Sequence, residues 1–107
     1  YQIARNGWIA DYNDPCSFLD MWYTDGGNND AQYSNPDYDA AIDAAKATSD
    51  PEERMKAFHE AEGVLIGQDS LLAPIYFYTQ PYMLNPDIDG MYYTPLGYFF
   101  FGYTSKK

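Results

Sequence analysis

Cysteine is nearly absent from this chain: Cys16 stands alone among 107 residues, so no internal disulfide can form and the redox compartment stays open. Cations are scarce too, with six Lys and Arg against 16 Asp and Glu and a formal net charge of −10. A surface of that sign repels nucleic acid, whose affinity comes mainly from cations that neutralise phosphates, and it disfavours anionic membranes for the same reason. The lone histidine, His59, lies far from Cys16 in sequence and on the polar side of an expected helix, which leaves a Cys–His nucleophile without support. No apolar run approaches bilayer-spanning length; the longest lies around Tyr98–Phe101. Phosphate-cradling loops, serine elbows and dinucleotide fingerprints are missing as well. The chain opens on Tyr1 rather than Met, with no signal peptide or lipidation motif, so a piece of a larger protein is expected.

What is abundant is aromatic: 12 Tyr, 6 Phe and 2 Trp make up 19% of the residues. Tyrosine joins a large apolar body to a hydroxyl, which suits surfaces that hold polar or adaptable partners, although Tyr-rich cores exist too. The acidic balance serves solubility first and is compatible with a cationic or zwitterionic ligand.

Along the chain, Tyr1 to Ala10 has β-type content around Gly7 and predicts a strand that another backbone can approach. Asp14-Pro15 predicts a capped helix start, with Phe18, Leu19 and Trp22 facing inward and Cys16 as a small packing residue. Asp25 to Asp30 reads as a loop. Asn35-Pro36 opens a second helix whose stripe is Tyr38, Ala41, Ile42 and Ala45. Asp50-Pro51 opens a third, with Met55, Phe58, Ala61 and Leu65 inward and Gly67 at its end. These two helices are expected to form an antiparallel hairpin against a sheet. Leu71–Tyr78 reads as an edge strand because of Pro74, and a short aromatic strand is expected within Gly97–Tyr103. Thr79-Gln80 marks a change of composition and a candidate boundary.

Candidate chemistry centres on Arg5 to Asp14. A calcium loop starting at Asp11 fails, because the positions requiring Gly and Glu hold Cys16 and Trp22. Asp11 itself reads in two ways: a turn carboxylate satisfied by the amides of Tyr12 to Asp14, or an acceptor for a ligand ammonium. Trp8 and Ile9 just before it could pair main chain to main chain with an extended ligand. Sixteen acids always offer pairs for glycoside hydrolysis, but no local pattern singles out two of them.

The run Ala4-Arg5-Asn6-Gly7-Trp8-Ile9-Ala10-Asp11-Tyr12-Asn13-Asp14-Pro15 closely resembles a segment of bacterial oligopeptide-binding proteins, the solute receptors of peptide ABC importers. The likeness continues through Ser17-Phe18-Leu19, Asn28-Asn29, Tyr33, Asn35-Pro36-Asp37-Tyr38-Asp39, Arg54, Ala61-Glu62 and Pro74-Ile75-Tyr76-Phe77-Tyr78. By this resemblance the chain is a C-terminal fragment of an α/β, two-lobed periplasmic-binding-protein-like fold of type II, with a helical hairpin packed on short strands. Residues 1–78 would belong to the peptide-binding lobe, and residues 79–107 would cross the hinge to the other. The resemblance implies an oligopeptide ligand, a membrane permease as partner, the remainder of the receptor chain, no nucleic acid, no cofactor or metal, and no catalysis. It further implies an extracytoplasmic location, in the periplasm or as a cell-surface lipoprotein. Carried over by position, Asp11 resembles the anchor for the peptide α-amino group, and Gly7, Trp8 and Ile9 the strand that pairs with the peptide. Arg5 resembles a cation for the C-terminal carboxylate of a short peptide, and Tyr78 a hinge tyrosine that contacts ligand. Many family members carry Cys where Ile9 stands, a change that a backbone role tolerates. The alternatives are a receptor for dipeptides, murein peptides or another solute in the same family, or a carbohydrate-binding module.

Overall fold

Helices in this protein begin where a short polar side chain can accept the amides that the first turn leaves unpaired. The computed structural model describes residues 2–107, so the part of the expected opening strand assigned to Tyr1 lies outside it. Its residues divide into two compact units, Tyr1–Pro74 and Ile75–Lys107.

In the first unit, α1 (Cys16–Leu19) runs directly into a 3-10 turn at Asp20–Trp22. The Asp14 side chain accepts from the Cys16 amide at 2.8 Å, the role expected of a cap. Helix α2 (Pro36–Ala47) starts with Asn35 accepting from the Asp37 amide, and α3 (Pro51–Glu62) with Asp50 accepting from the amides of Glu52 and Glu53. Proline occupies the first position of both helices, where its missing N–H costs nothing. Gly67 does not end the third helix at an α-helical turn: Gly63–Gln68 continues it as a π turn, closed by the Asp69 amide donating to the Val64 carbonyl at 2.9 Å.

Helices α2 and α3 pair as the expected hairpin. Tyr38, Ile42 and Ala45 of α2 meet Ala57, Phe58 and Ala61 of α3, all buried. The outer face of this pair is not covered by strands within the first unit. Leu19, Met21 and Trp22 supply that cover, and the buried Tyr38 hydroxyl donates to the Leu19 carbonyl. Two inward assignments are overturned. Phe18 is 46% exposed and Met55 42% exposed. Tightening from α to 3-10 geometry after Leu19 changes the angular step between residues, so Leu19, Met21 and Trp22 share the core while Phe18 turns out. On α3 the stripe is centred between Phe58 and Ala61 and takes in Ala57 and Val64, which leaves Met55 on its flank.

The expected strands at residues 2–10 and Leu71–Tyr78 do not form; both stretches lack regular secondary structure among the described residues. Alternating β-type side chains select a strand only where a neighbouring edge supplies hydrogen bonds. Strands occur in the second unit instead, as two short antiparallel ladders. Strand β1 (Ile88–Asp89) pairs with β4 (Ser105–Lys106), and β2 (Tyr92–Tyr93) with β3 (Phe99–Phe100). The aromatic strand expected within Gly97–Tyr103 is thus β3, shorter than the run that encodes it. Tyr92 stacks flat on Phe100, with ring centres 4.9 Å apart, and Tyr82, Tyr93 and Phe99 form a second cluster. Gly90, at φ +79°, makes the turn between β1 and β2, and a Cβ there would lie 2.0 Å from the Tyr103 carbonyl oxygen.

Candidate functional site

The loop from Asp11 to Pro15 is held at both ends by side chains from different elements. At its start the Asp11 amide donates to the hydroxyl of the buried Ser17 on α1, at 2.8 Å. At its end Arg54 of α3 grips Asp14 with both guanidinium arms, Nη1 to Oδ2 at 2.6 Å and Nη2 to Oδ1 at 2.9 Å. Between these points the Asp14 amide donates to the Tyr12 carbonyl at 2.9 Å and tightens the turn. Arg54 is itself fixed by the face of Phe58, its guanidinium carbon 4.7 Å from the ring centre. The Arg54 hydrogen bonds hold the Asp14 carboxyl below its ordinary pKa, helped by the Cys16 amide.

Asp11 differs from its neighbours. Among the described residues no hydrogen bond or ion pair engages its carboxylate. The bland role considered for Asp11, a carboxylate tied up by turn amides, is filled by Asp14. Asp20, on the same side of the first unit, is paired with Lys46. Arg54 and Lys46 therefore neutralise two of the three carboxylates and leave the third available.

Asp11 and Trp8 line one cleft of about 250 Å³, together with Tyr12, Asp20, Tyr23 and Asn28. Ligand pockets for whole small molecules run from about 300 to 1,000 Å³. This cleft has room for a terminal group or a single residue, not for a peptide. The Trp8 indole N–H is buried and finds no acceptor among the described residues. An orphaned buried donor is uncommon enough to call for a partner. The loop behind the cleft is ordered by Asn29, whose amide donates to the carbonyls of Tyr23 and Tyr33 and accepts from the Tyr33 amide.

The other candidates are placed as follows. Gly7 is exposed, with nothing within 4 Å of where a Cβ would project, so its main chain is open to approach. Ile9 is 73% exposed. Arg5 is exposed in the same unit. Tyr78 lies in the second unit, its ring 4.7 Å from that of Tyr76. The structure thus brings Trp8 and Asp11 together at one cleft. Sequence reasoning missed the clamp: Asp14 was legible as a cap, but nothing local shows that Arg54, forty residues on, is its partner.

Fold and cleft together define an α/β segment that carries an anionic binding site. The chain is 40% identical over 90 residues to the periplasmic oligopeptide-binding protein OppA of Haemophilus influenzae, covering 84% of this chain and 16% of that protein. It is 36% identical over 92 residues to the oligopeptide-binding protein OppA of Bacillus subtilis, covering 85% and 17%. With the dipeptide-binding protein DppE of the same organism the identity is 34% over 98 residues, covering 92% and 18%. No family model matches the chain. Over these stretches the chain is homologous to the oligopeptide-binding proteins, the class its opening motif resembles, and it spans less than a fifth of the length of these curated relatives.

Proposed function

We propose that this chain is part of an extracytoplasmic receptor that binds oligopeptides for uptake through an ABC importer, and that Asp11 anchors the peptide's α-ammonium group. The observation that carries this reading is the partnerless Asp11 carboxylate at a cleft sized for a terminal residue. A charge-assisted hydrogen bond at such a rim contributes about 1.5–3 kcal/mol. Gly7 to Ile9 would offer main-chain groups to the peptide backbone, which gives affinity without side-chain choice. The orphaned Trp8 N–H is suited to a peptide carbonyl. Arg5 is the candidate partner for the C-terminal carboxylate of a short peptide, and Tyr78 a ligand contact at a hinge.

In this reading residues 1–78 belong to one lobe of a two-lobed receptor and residues 79–107 cross to the other. Closure of the lobes on the peptide would present the loaded receptor to a membrane permease. The receptor binds and releases its ligand unchanged, so no cofactor or metal has a role. The names of the relatives, peptide-binding proteins of the periplasm and of a Gram-positive organism's envelope transport class, support the ligand and the location.

The test is Asp11→Asn in the receptor that carries this segment, titrated with tri-alanine and with N-acetyl-tri-alanine. Affinity for the free amine is expected to fall about tenfold or more, with the acetylated peptide little affected. Equal losses for both peptides would make Asp11 a structural residue.

A further inference from the structure

We infer that Arg54 is a positioning residue for the ammonium site: by clamping Asp14 it sets where the Asp11 carboxylate stands and keeps it the loop's one available negative charge. The inference rests on the reading of Asp11 as the peptide anchor and assigns the site a control element outside the cleft.

Three observations carry it. The first is geometric: only three residues separate Asp11 from Asp14, and the turn between them is cross-bonded, so a displacement of Asp14 is passed to Asp11. With Ser17 holding the Asp11 amide, the loop has two fixed points on two different elements. The second is the nature of the clamp. A planar, two-pronged guanidinium fixes the orientation of a carboxylate as well as its distance, and Phe58 fixes the guanidinium in turn. The third is electrostatic. If Arg54 were absent, Asp14 would become a second anion a few residues from Asp11, able to compete for the same ammonium in a geometry the cleft does not serve.

The experiment compares wild type, Asp11→Asn, Arg54→Met and Arg54→Lys in the receptor that carries this segment. Each is titrated with tri-alanine and N-acetyl-tri-alanine, and melting temperature is recorded alongside. The quantity read is the ratio of the two affinities. Arg54→Met is expected to reduce the preference for the free amine by about threefold to tenfold. Arg54→Lys, which keeps the charge but loses the fork, is expected to recover part of it. A merely structural Arg54 would lower melting temperature and weaken both peptides alike without moving the ratio, and that result overturns the inference. If Asp11→Asn abolishes the preference while Arg54→Met leaves it intact, the inference fails and the anchor stands. If wild type shows no preference for the free amine, the anchor reading fails and takes this inference with it.

Discussion

At the scale of single residues, the first unit separates three carboxylates by what each touches. Asp14 meets a guanidinium and an amide, Asp20 meets Lys46, and Asp11 meets nothing among the described residues. Such a division follows from packing, since only α3 brings Arg54 to the loop. It also sets a pH dependence. The Asp14 carboxyl titrates below its usual 3.8 in the folded protein, so its contribution is fully present above that value. The contribution is lost as pH falls through the lower folded value, where the acid form no longer needs Arg54. Asp14→Asn is therefore expected to lower the urea midpoint at neutral pH, with the gap to wild type closing in the acid limb below 3.8. A gap that stays constant with pH would mean that the clamp's charge adds nothing to stability.

At the scale of elements, the local signals were the legible ones. Asn35 and Asp50 cap the helices named for them, because a cap and its amides lie within three residues of each other. The stripe Tyr38, Ile42, Ala45 is buried as the period requires. What could not be read depended on distant partners. Phe18 and Met55 fit an ideal period, but the 3-10 turn and the position of α2 decide which flank is covered. Residues 2–10 and Leu71–Tyr78 carry strand-like side chains without a ladder to join. The site divides in the same way: the Asp11 motif was visible as contiguous sequence, and the Arg54 clamp was not. In the second unit one position controls the turn from β1 to β2. Gly90→Ala combines an unfavourable φ of +79° with a carbonyl in the space the methyl would occupy. It is expected to break the β1–β4 pairing, read as loss of protection of the Ile88 and Lys106 amides in hydrogen exchange. Unchanged protection would show that the turn can be rebuilt.

For the molecule as a whole, the apolar surface is unevenly spread. The first unit buries its large side chains in one cluster, whereas Phe77 is 99% and Met83 100% exposed in the second. Side chains that touch so little contribute little to the fold. Phe77→Ser combined with Met83→Ser is expected to shift stability by no more than about 0.5 kcal/mol while reducing the binding of an apolar dye. A larger loss of stability would place both residues in a core. No helix among the described residues is long and apolar enough to cross a membrane, so these side chains have no spanning segment to join.

The π turn at Gly63–Gln68 gives the chain a measure of length that the cap-and-stripe pattern does not contain. Because that turn is wound wide, Asp69 leaves the helix at an angle that lets its carboxylate accept from the Tyr33 hydroxyl at 2.6 Å and the Asn35 side-chain amide at 2.7 Å. Excising Gly67 would let the ladder revert to α winding and swing Asp69 by about 100° around the axis, away from both donors. The spacing of that segment, more than the identity of its residues, is what a sequence drifting over time must preserve. A one-residue gap there would be harder to tolerate than almost any exchange of side chain.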